Sequence, residues 1–271
     1  MIKRFIQFVL VLLLSSCSYN GSFYYTKSDY KEIKGIKYEE VYLKNKDSVK
    51  LNAVYLEPKG EVKGAVLLIH GNGGNVSGWI NSIEPLTKAG YRTLVFDYQG
   101  YGKSEGKPTH KNVVTDSELF LNYLISRKSS KDEKLVIWGV SLGGNLSVNI
   151  AYRNQDKVNA LIDEAGFSSH SDIGAEFMPW ILKPIARLTV KSPYKSKDII
   201  SELKMPVLII HSTEDEVVPF KMGKEVFENA NEPKEFWQIK GKHCYAIRDY
   251  ETQFIQKLDS LVSIHKARFL R

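Results

Sequence analysis

An α/β fold, with a mostly parallel, doubly wound sheet in one domain, is predicted by two patterns that alternate along this chain. The first is a set of short, unbroken apolar runs, which are typical of strands covered by helices on both faces. These runs are Ala65–Ile69, Thr93–Phe96, Leu135–Trp138, Asn159–Ile162 and Val207–Ile210. The second is helical spacing of apolar residues between the runs, and strand–helix alternation is what builds such a sheet.

Other elements are predicted by local signals. Val41–Leu43 and Val49–Leu56 predict an antiparallel hairpin of half-buried strands at the N-terminal side of the sheet. A first helix, ended by Gly90, is predicted by apolar residues that share one face. These residues are Trp79, Ile80, Ile83 and Leu86. A second helix is predicted by the spacing of Leu119, Tyr123 and Arg127, and Leu121 and Leu124 widen its apolar stripe.

The composition is that of an ordinary globular protein and excludes some classes of function. Of 271 residues, 43% are hydrophobic and 25% are charged, and the formal net charge is +7. Lys and Arg are scattered and no zinc-finger or RNA-binding motif occurs, which argues against nucleic acid as a partner. The six histidines lack the spacing of metal ligands, so no metal or other cofactor is expected.

The N-terminus has the features of an export signal. Lys3 and Arg4 precede an apolar run from Phe5 to Leu14 that is shorter than the roughly 20 residues of a membrane-spanning helix. The run ends in Leu-Ser-Ser-Cys17, which resembles the lipobox of bacterial lipoprotein precursors. The resemblance implies cleavage before Cys17, lipid on its thiol and anchoring at the bacterial cell envelope. An ordinary signal peptide and an uncleaved anchor are the alternatives.

The predicted organisation therefore has three parts. Residues 1–16 form the signal peptide, residues 17–35 a polar, Tyr-rich tether, and residues 36–271 the α/β domain. With lipid on Cys17, only Cys244 remains, so we expect no disulfide within the mature chain. A core of this size does not need one.

A candidate nucleophile lies in Gly139–Gly143, which reads G-V-S-L-G. The motif follows the apolar run Leu135–Trp138 and precedes a helix-like segment from Asn145 to Tyr152. In this strand–turn–helix context, G-x-S-x-G forms a tight turn that exposes the serine hydroxyl, here that of Ser141. A serine hydroxyl becomes a strong nucleophile when a neighbouring base takes its proton.

The base and the acid are expected later in the chain, in the order Ser, acid, His. Of the six histidines, only His243 falls after the last predicted strand, Glu235–Ile239, and before the final helix. The acid should follow the preceding strand, where Glu214–Glu216 offers three carboxylates. The sequence order alone does not choose among these three.

A glycine-rich loop, His70–Asn75, follows the first fully buried strand and precedes a helix. Its exposed backbone N–H groups suit a developing negative charge on a substrate oxygen. We expect the N–H groups of Asn72 and Leu142 to form this oxyanion hole, with His70 bracing the loop. A plain glycine turn is the alternative.

Together these motifs resemble the α/β-hydrolase superfamily, and in particular its small-cap serine hydrolases. That branch includes esterases, lysophospholipase-like enzymes and thioesterases that remove palmitate from proteins. The likeness extends from about Tyr38 to Leu261 and includes the loop Asp97–Ser104, for which it implies a structural role. Asp215–Pro219 resembles the family's acid motif, so Asp215 is the predicted acid, with Glu214 as the alternative. Cys244 departs from the small or polar residue common after the histidine.

The resemblance implies hydrolysis of esters or thioesters through an acyl-enzyme. A serine peptidase with the same triad and a non-catalytic binding lipoprotein of the same fold are the alternatives. The natural substrate and the oligomeric state are left open.

The segment Ser168–Lys197 is predicted to form a small helical cap. Its apolar cluster includes Phe177, Met178, Trp180, Ile181, Leu182 and Ile185. We expect part of the cluster, Trp180 included, to roof an acyl pocket. In the alternative, the whole cluster packs as an ordinary crossover helix.

Overall fold

The computed structural model describes residues 23–26 and 29–268, with side chains through residue 263. Eight strands of this part of the chain form one sheet. They are β1 (Glu39–Lys44), β2 (Lys50–Leu56), β3 (Gly64–Ile69), β4 (Tyr91–Phe96), β5 (Lys134–Val140), β6 (Ala160–Glu164), β7 (Val207–Ser212) and β8 (Lys234–Ile239). Their order across the sheet is β1-β2-β4-β3-β5-β6-β7-β8. Strand β2 runs antiparallel to β1 and β4, and the other neighbouring pairs are parallel.

Helices connect and cover the strands. The α-helices are α1 (Val76–Lys88), α2 (Asn112–Ser126), α3 (Leu142–Arg153), α4 (His170–Glu176), α5 (Lys183–Thr189), α6 (Ser196–Ile199), α7 (Phe220–Asn229), α8 (Ala246–Asp249) and α9 (Glu251–Arg268). Short 3₁₀ helices occupy Trp180–Leu182 and Ile200–Glu202. The N-cap of helix α1 is Asn75, whose side chain accepts a hydrogen bond from the Ser77 N–H.

The sheet separates two apolar cores because successive side chains of a strand point to opposite faces. In β3, Leu67 lies in one core and Leu68 in the other, and both are fully buried. Helices α2, α3 and α7 cover the first face, and α1 and α9 cover the second. This arrangement confirms the predicted doubly wound sheet, its antiparallel first strands and the buried character of its apolar runs.

The predicted cap segment forms short helices between β6 and β7, and part of its apolar cluster faces water. Trp180 is 81% exposed and Ile181 is 65% exposed, so the expectation that Trp180 roofs a pocket is wrong. The physical reason is the length of these elements. The 3₁₀ helix after Pro179 has three residues, and such a short helix cannot bury all of its sides.

Residues predicted as a tether contact the domain where they are described. Tyr24 is buried, and its hydroxyl lies 2.8 Å from Nδ1 of His110. Tyr30 and Ile33 pack against the core under α1, and the Lys31 N–H donates to the Ser77 hydroxyl at 2.9 Å. The predicted signal peptide and Cys17 lie outside the described residues. Within the described part of the chain, every helix is too short or too polar to cross a membrane.

Candidate active site

Ser141 sits in a strained turn between β5 and α3. Its φ of 57° and ψ of −115° lie outside the conformations that a residue with a side chain normally adopts, and such strain is typical of functional positions. The flanking glycines are needed for close packing. A Cβ atom on Gly139 would lie 2.3 Å from the Gly143 carbonyl oxygen, and one on Gly143 would lie 1.8 Å from that of Ile69.

Ser141, His243 and Asp215 form one chain of hydrogen bonds. The Ser141 Oγ lies 2.9 Å from Nε2 of His243, whose Nδ1 lies 2.7 Å from Oδ2 of Asp215. A carboxylate only accepts hydrogen bonds, so Nδ1 carries the hydrogen and Nε2 is left to accept the serine proton. The structure therefore brings together three residues that the sequence analysis selected from the ends of β5, β7 and β8.

The Asp215 carboxylate is fully buried and well supplied with donors. Its Oδ1 accepts the N–H groups of Val217 and Val218 at 2.9 and 2.8 Å. Burial alone raises the pKa of a carboxyl. Here the hydrogen bond and charge of His243, together with these two N–H groups, hold the pKa of Asp215 below its usual value. Asp215 is therefore ionised at neutral pH and can stabilise an imidazolium.

The neighbouring acids hold the histidine loop instead of the imidazole. Oε2 of Glu214 accepts the Gly241 N–H at 3.0 Å, and Oε2 of Glu216 accepts the His243 N–H at 3.3 Å. Asp215 thus contacts the imidazole of His243. The alternative acid, Glu214, instead accepts the backbone N–H of Gly241, two residues before the histidine.

The glycine-rich loop passes beside the nucleophile. A Cβ atom on Gly71 would lie 3.4 Å from the Cβ of Ser141. Asn72 and Leu142 line the same cavity as Ser141. The Asn72 side-chain oxygen accepts hydrogen bonds from the Tyr101 hydroxyl and the Tyr25 N–H, which hold the loop in place. Leu142 is the first residue of α3, where backbone N–H groups have no partner within the helix.

His70 braces this loop from within the core. Its Nδ1 lies 2.7 Å from the Gly71 carbonyl oxygen, and its own carbonyl oxygen accepts the Tyr98 hydroxyl at 2.6 Å. Burial lowers the pKa of His70 to about 4, so the ring is neutral at pH 7. These contacts are structural, as the sequence analysis expected.

Asp97 stabilises the loop Asp97–Ser104, which follows β4. It accepts the N–H groups of Val76 at 2.8 Å and Lys103 at 3.3 Å, so it joins the start of α1 to the turn after β4. A Cβ atom on Gly102, at a φ of +46°, would lie 2.0 Å from its Oδ2. Burial raises the pKa of Asp97 to about 7 despite both hydrogen bonds.

Glu164, at the end of β6, is a residue of this site that the sequence analysis missed. Its carbonyl oxygen accepts the Ser141 N–H at 2.9 Å. Its carboxylate accepts the Ala246 N–H at 2.9 Å and the Trp138 Nε1–H at 3.1 Å. It therefore ties the nucleophile turn to the loop that carries His243. Burial raises the pKa of Glu164 to about 7. The sequence did offer one signal for Glu164, because this charged residue lies at the end of a strand that begins with an apolar run.

A cavity of about 430 Å³ opens at Ser141 and has mostly apolar walls. Its lining residues are Phe23, Asn72, Ser141, Leu142, Phe167, Ile173, Phe177, Met178, Val217 and Val218. A larger cavity of about 670 Å³, near Tyr38 and Arg127, is lined by none of the active-site residues described in this section. Among the described residues, no group of His, Cys, Asp and Glu side chains could hold a metal ion.

Comparisons with known proteins agree with this architecture. A family model described as alpha/beta hydrolase fold matches residues 64–189. The alpha/beta hydrolase domain-containing protein WAV2 of Arabidopsis thaliana is 31% identical over 67% of this chain, which spans only 63% of that protein. The protein YfhR of Salmonella typhi is 28% identical, and the match covers 93% of this chain and 92% of YfhR.

Among solved structures, the esterase Pf2001 of Pyrococcus furiosus superimposes with a TM-score of 0.71 at 19% identity. The match covers 88% of this chain and 98% of the esterase, and it demonstrates a shared fold. The chain therefore has the α/β-hydrolase fold.

Proposed function

We propose that this chain, which has the α/β-hydrolase fold, is a serine hydrolase that cleaves carboxylic esters or thioesters through an acyl-enzyme. The observation that carries the proposal is the hydrogen-bond chain Asp215–His243–Ser141, which ends at an apolar cavity. The nucleophile, base and acid are in the geometry of acyl transfer. The cavity beside them has mostly apolar walls, which suit the acyl chain of a substrate.

In the proposed reaction, Ser141 Oγ attacks the substrate carbonyl carbon while His243 Nε2 takes the serine proton. The carbonyl π electrons move to oxygen, and the N–H groups of Asn72 and Leu142 stabilise that oxyanion. When the intermediate collapses, the bond to the leaving oxygen or sulfur breaks, and His243 returns the proton to it. Water then attacks the acyl-serine by the same steps, releasing the acid and restoring Ser141.

A fluorophosphonate probe tests the nucleophile, because it labels a serine only when a neighbouring base activates it. We expect labelling of the wild-type chain and none of Ser141→Ala. Equal labelling of both, or of neither, would contradict the proposal and favour a binding protein of the same fold. Folding of the variant is checked by circular dichroism.

A substrate panel tests the type of bond. Matched p-nitrophenyl esters, acyl thioesters and peptide p-nitroanilides with the same acyl group should be compared by kcat/KM. We expect the esters or thioesters to exceed the anilides by at least about 100-fold, a difference of roughly 2.7 kcal/mol in activation free energy. Anilides cleaved as fast as esters would point to a peptidase.

We also propose that lipid on Cys17 anchors the protein at the bacterial cell envelope. The support is the lipobox-like ending of a short export segment. Cys17 lies outside the described residues, so the proposal depends on the sequence and on the experiment given in the Discussion.

A further inference from the structure

We infer that the outer side of the cap docks on the surface of an anionic phospholipid bilayer and receives its acyl substrate from that bilayer. The cap face comprises the four exposed large apolar side chains of the cap segment, which are Phe177, Trp180, Ile181 and Leu188. The inference extends the proposed function, because it names a membrane-borne acyl compound as the substrate class of the Ser141 site.

The cap face is unusually apolar for a surface in contact with water. Phe177 is 66% exposed, Trp180 81%, Ile181 65% and Leu188 87%. Single exposed apolar residues are normal on proteins, but a cluster of large ones marks an interaction site. Tryptophan is also enriched where proteins meet the headgroup region of a membrane.

The charge around this face favours an anionic partner. Residues 177–197 contain five Lys or Arg and no Asp or Glu. Four acids pair with members of this set: Glu176 with Lys183, Asp172 with Arg187 and Lys197, Asp198 with Lys195, and Glu225 with Lys197. Five basic residues against these four acids leave a small excess of positive charge. Apolar side chains among basic ones are the composition of helices that lie in the interface of anionic membranes.

The cap face is continuous with the cavity at Ser141. Phe177 lines that cavity while two thirds of its surface is exposed. Val217 also lines the cavity and is 42% exposed. The mouth of the cavity is therefore bordered by the cap face, and an acyl chain leaving a bilayer there would move from one apolar surface to the next.

The position of the segment that follows Cys17 also supports docking of the cap face on a membrane. Phe23 lines the cavity, and the neighbouring Tyr25 N–H donates to Asn72 at 2.6 Å. Cys17 precedes Phe23 by six residues, and a fully extended chain of that length reaches about 21 Å. A lipid at Cys17 would accordingly hold the mouth of the cavity, and with it the cap face, near the membrane.

The main test compares one enzyme on two substrates. The full chain acts on p-nitrophenyl butyrate in solution and on a fluorogenic long-chain acyl ester dissolved in phosphatidylglycerol vesicles. For the double variant Trp180→Ser/Leu188→Ser we expect at least a tenfold loss of kcat/KM on vesicles and less than a twofold change in solution. The matched control Tyr152→Ser removes an apolar side chain that is 43% exposed on α3, and it should change neither rate. Equal losses on both substrates, or none on vesicles, would overturn the inference.

A second measurement does not depend on catalysis. Vesicles of brominated phosphatidylglycerol quench tryptophans that reach the acyl chains, and this protein has four tryptophans. Wild-type fluorescence should be quenched, Trp180→Phe should lose most of the quenching, and brominated phosphatidylcholine should quench less. Unchanged quenching in Trp180→Phe contradicts docking.

The two measurements separate the possible failures. If the wild type hydrolyses neither ester and Trp180 is still quenched, the proposed hydrolase fails and docking stands. If the soluble ester is cleaved and Trp180 is not quenched, docking fails and the hydrolase stands. A dimer that the double variant dissociates, with vesicle activity retained, would assign the cap face to a second copy of the chain and overturn docking.

Discussion

The Ser141 Oγ lies 2.9 Å from Nε2 of His243. In the proposed reaction a proton passes between these two atoms, so each residue needs the other. We expect Ser141→Ala and His243→Ala each to lower kcat on an ester by about 10⁴-fold or more. The double variant should be little worse than either single variant, because groups that act as a unit do not contribute additively. Kinetics of the three purified variants measure this. Losses that multiply in the double variant would show that the two residues act independently.

The choice of acid can be tested by two isosteric changes. Asp215→Asn leaves a group that can donate to Nδ1 and so favours the wrong tautomer, and kcat should fall by roughly 10⁴-fold. Glu214→Gln retains an oxygen for the Gly241 N–H, so a change of only a few fold is expected. Near-native circular dichroism for both variants is the control. The reverse order of the two losses would make Glu214 the acid.

Glu164 gives a pH-dependent prediction. Burial raises the pKa of its carboxyl from 4.5 to about 7, so between these values the folded state binds more protons than the unfolded state. Stability contributed by this group is therefore present below pH 4.5 and is lost as the pH rises to 7, at up to about 1.4 kcal/mol per pH unit. Urea unfolding at pH 5, 6 and 7 measures the slope. In Glu164→Gln the decline should be shallower, and an identical slope would contradict the shifted pKa.

Residues with a motif could be predicted, and residues defined by packing could not. Ser141 stands in a tight turn with a sequence signature, and His243 follows from strand order. Glu164 has no signature, because its role depends on Trp138 and Ala246, which the fold brings to it from other parts of the chain. Trp180 was assigned to a pocket from its apolar character, but hydrophobicity does not tell which way a three-residue helix faces.

Among the secondary-structure elements, the apolar runs located the strands to within a few residues. Strand β5 extends from Lys134 to Val140, beyond the run Leu135–Trp138, because backbone pairing continues past the apolar side chains. The α1 boundary followed from helical spacing and from Gly90, whose φ is +102°. The bounds of the short cap helices α4, α5 and α6 were not predicted, since each has too few residues for a period to be read.

The cap should set the preferred acyl length. Met178 lines the cavity, and each additional CH₂ buried there contributes about 0.8 kcal/mol, or about fourfold in kcat/KM. We expect kcat/KM to rise from acetyl to hexanoyl p-nitrophenyl esters in solution. Met178→Ser should flatten the rise, and Trp180→Ala, which alters an exposed position of the same segment, should preserve it. A series that peaks at acetyl would show that the cavity does not bind the acyl chain.

For the molecule as a whole, the lipid anchor is the prediction that decides where the proposed hydrolase would work. The apolar run from Phe5 to Leu14 is too short to span a bilayer, whereas acyl chains on Cys17 would contribute about 0.8 kcal/mol per buried CH₂. Cys17→Ser should therefore release the protein from the membrane fraction or leave it as an unprocessed precursor. Fractionation and incorporation of radiolabelled palmitate measure these outcomes.

The cap face adds a condition to this experiment. If released Cys17→Ser protein still binds phosphatidylglycerol vesicles, that residual binding should fall steeply with salt, because it depends on exposed basic residues that ions screen. The lipid-anchored wild type should stay in the membrane fraction when it is washed with high salt. Membrane retention and processing that are unchanged in Cys17→Ser would exclude the lipoprotein. Salt-resistant retention of that variant, together with a wild type that is itself uncleaved, would indicate an uncleaved N-terminal anchor.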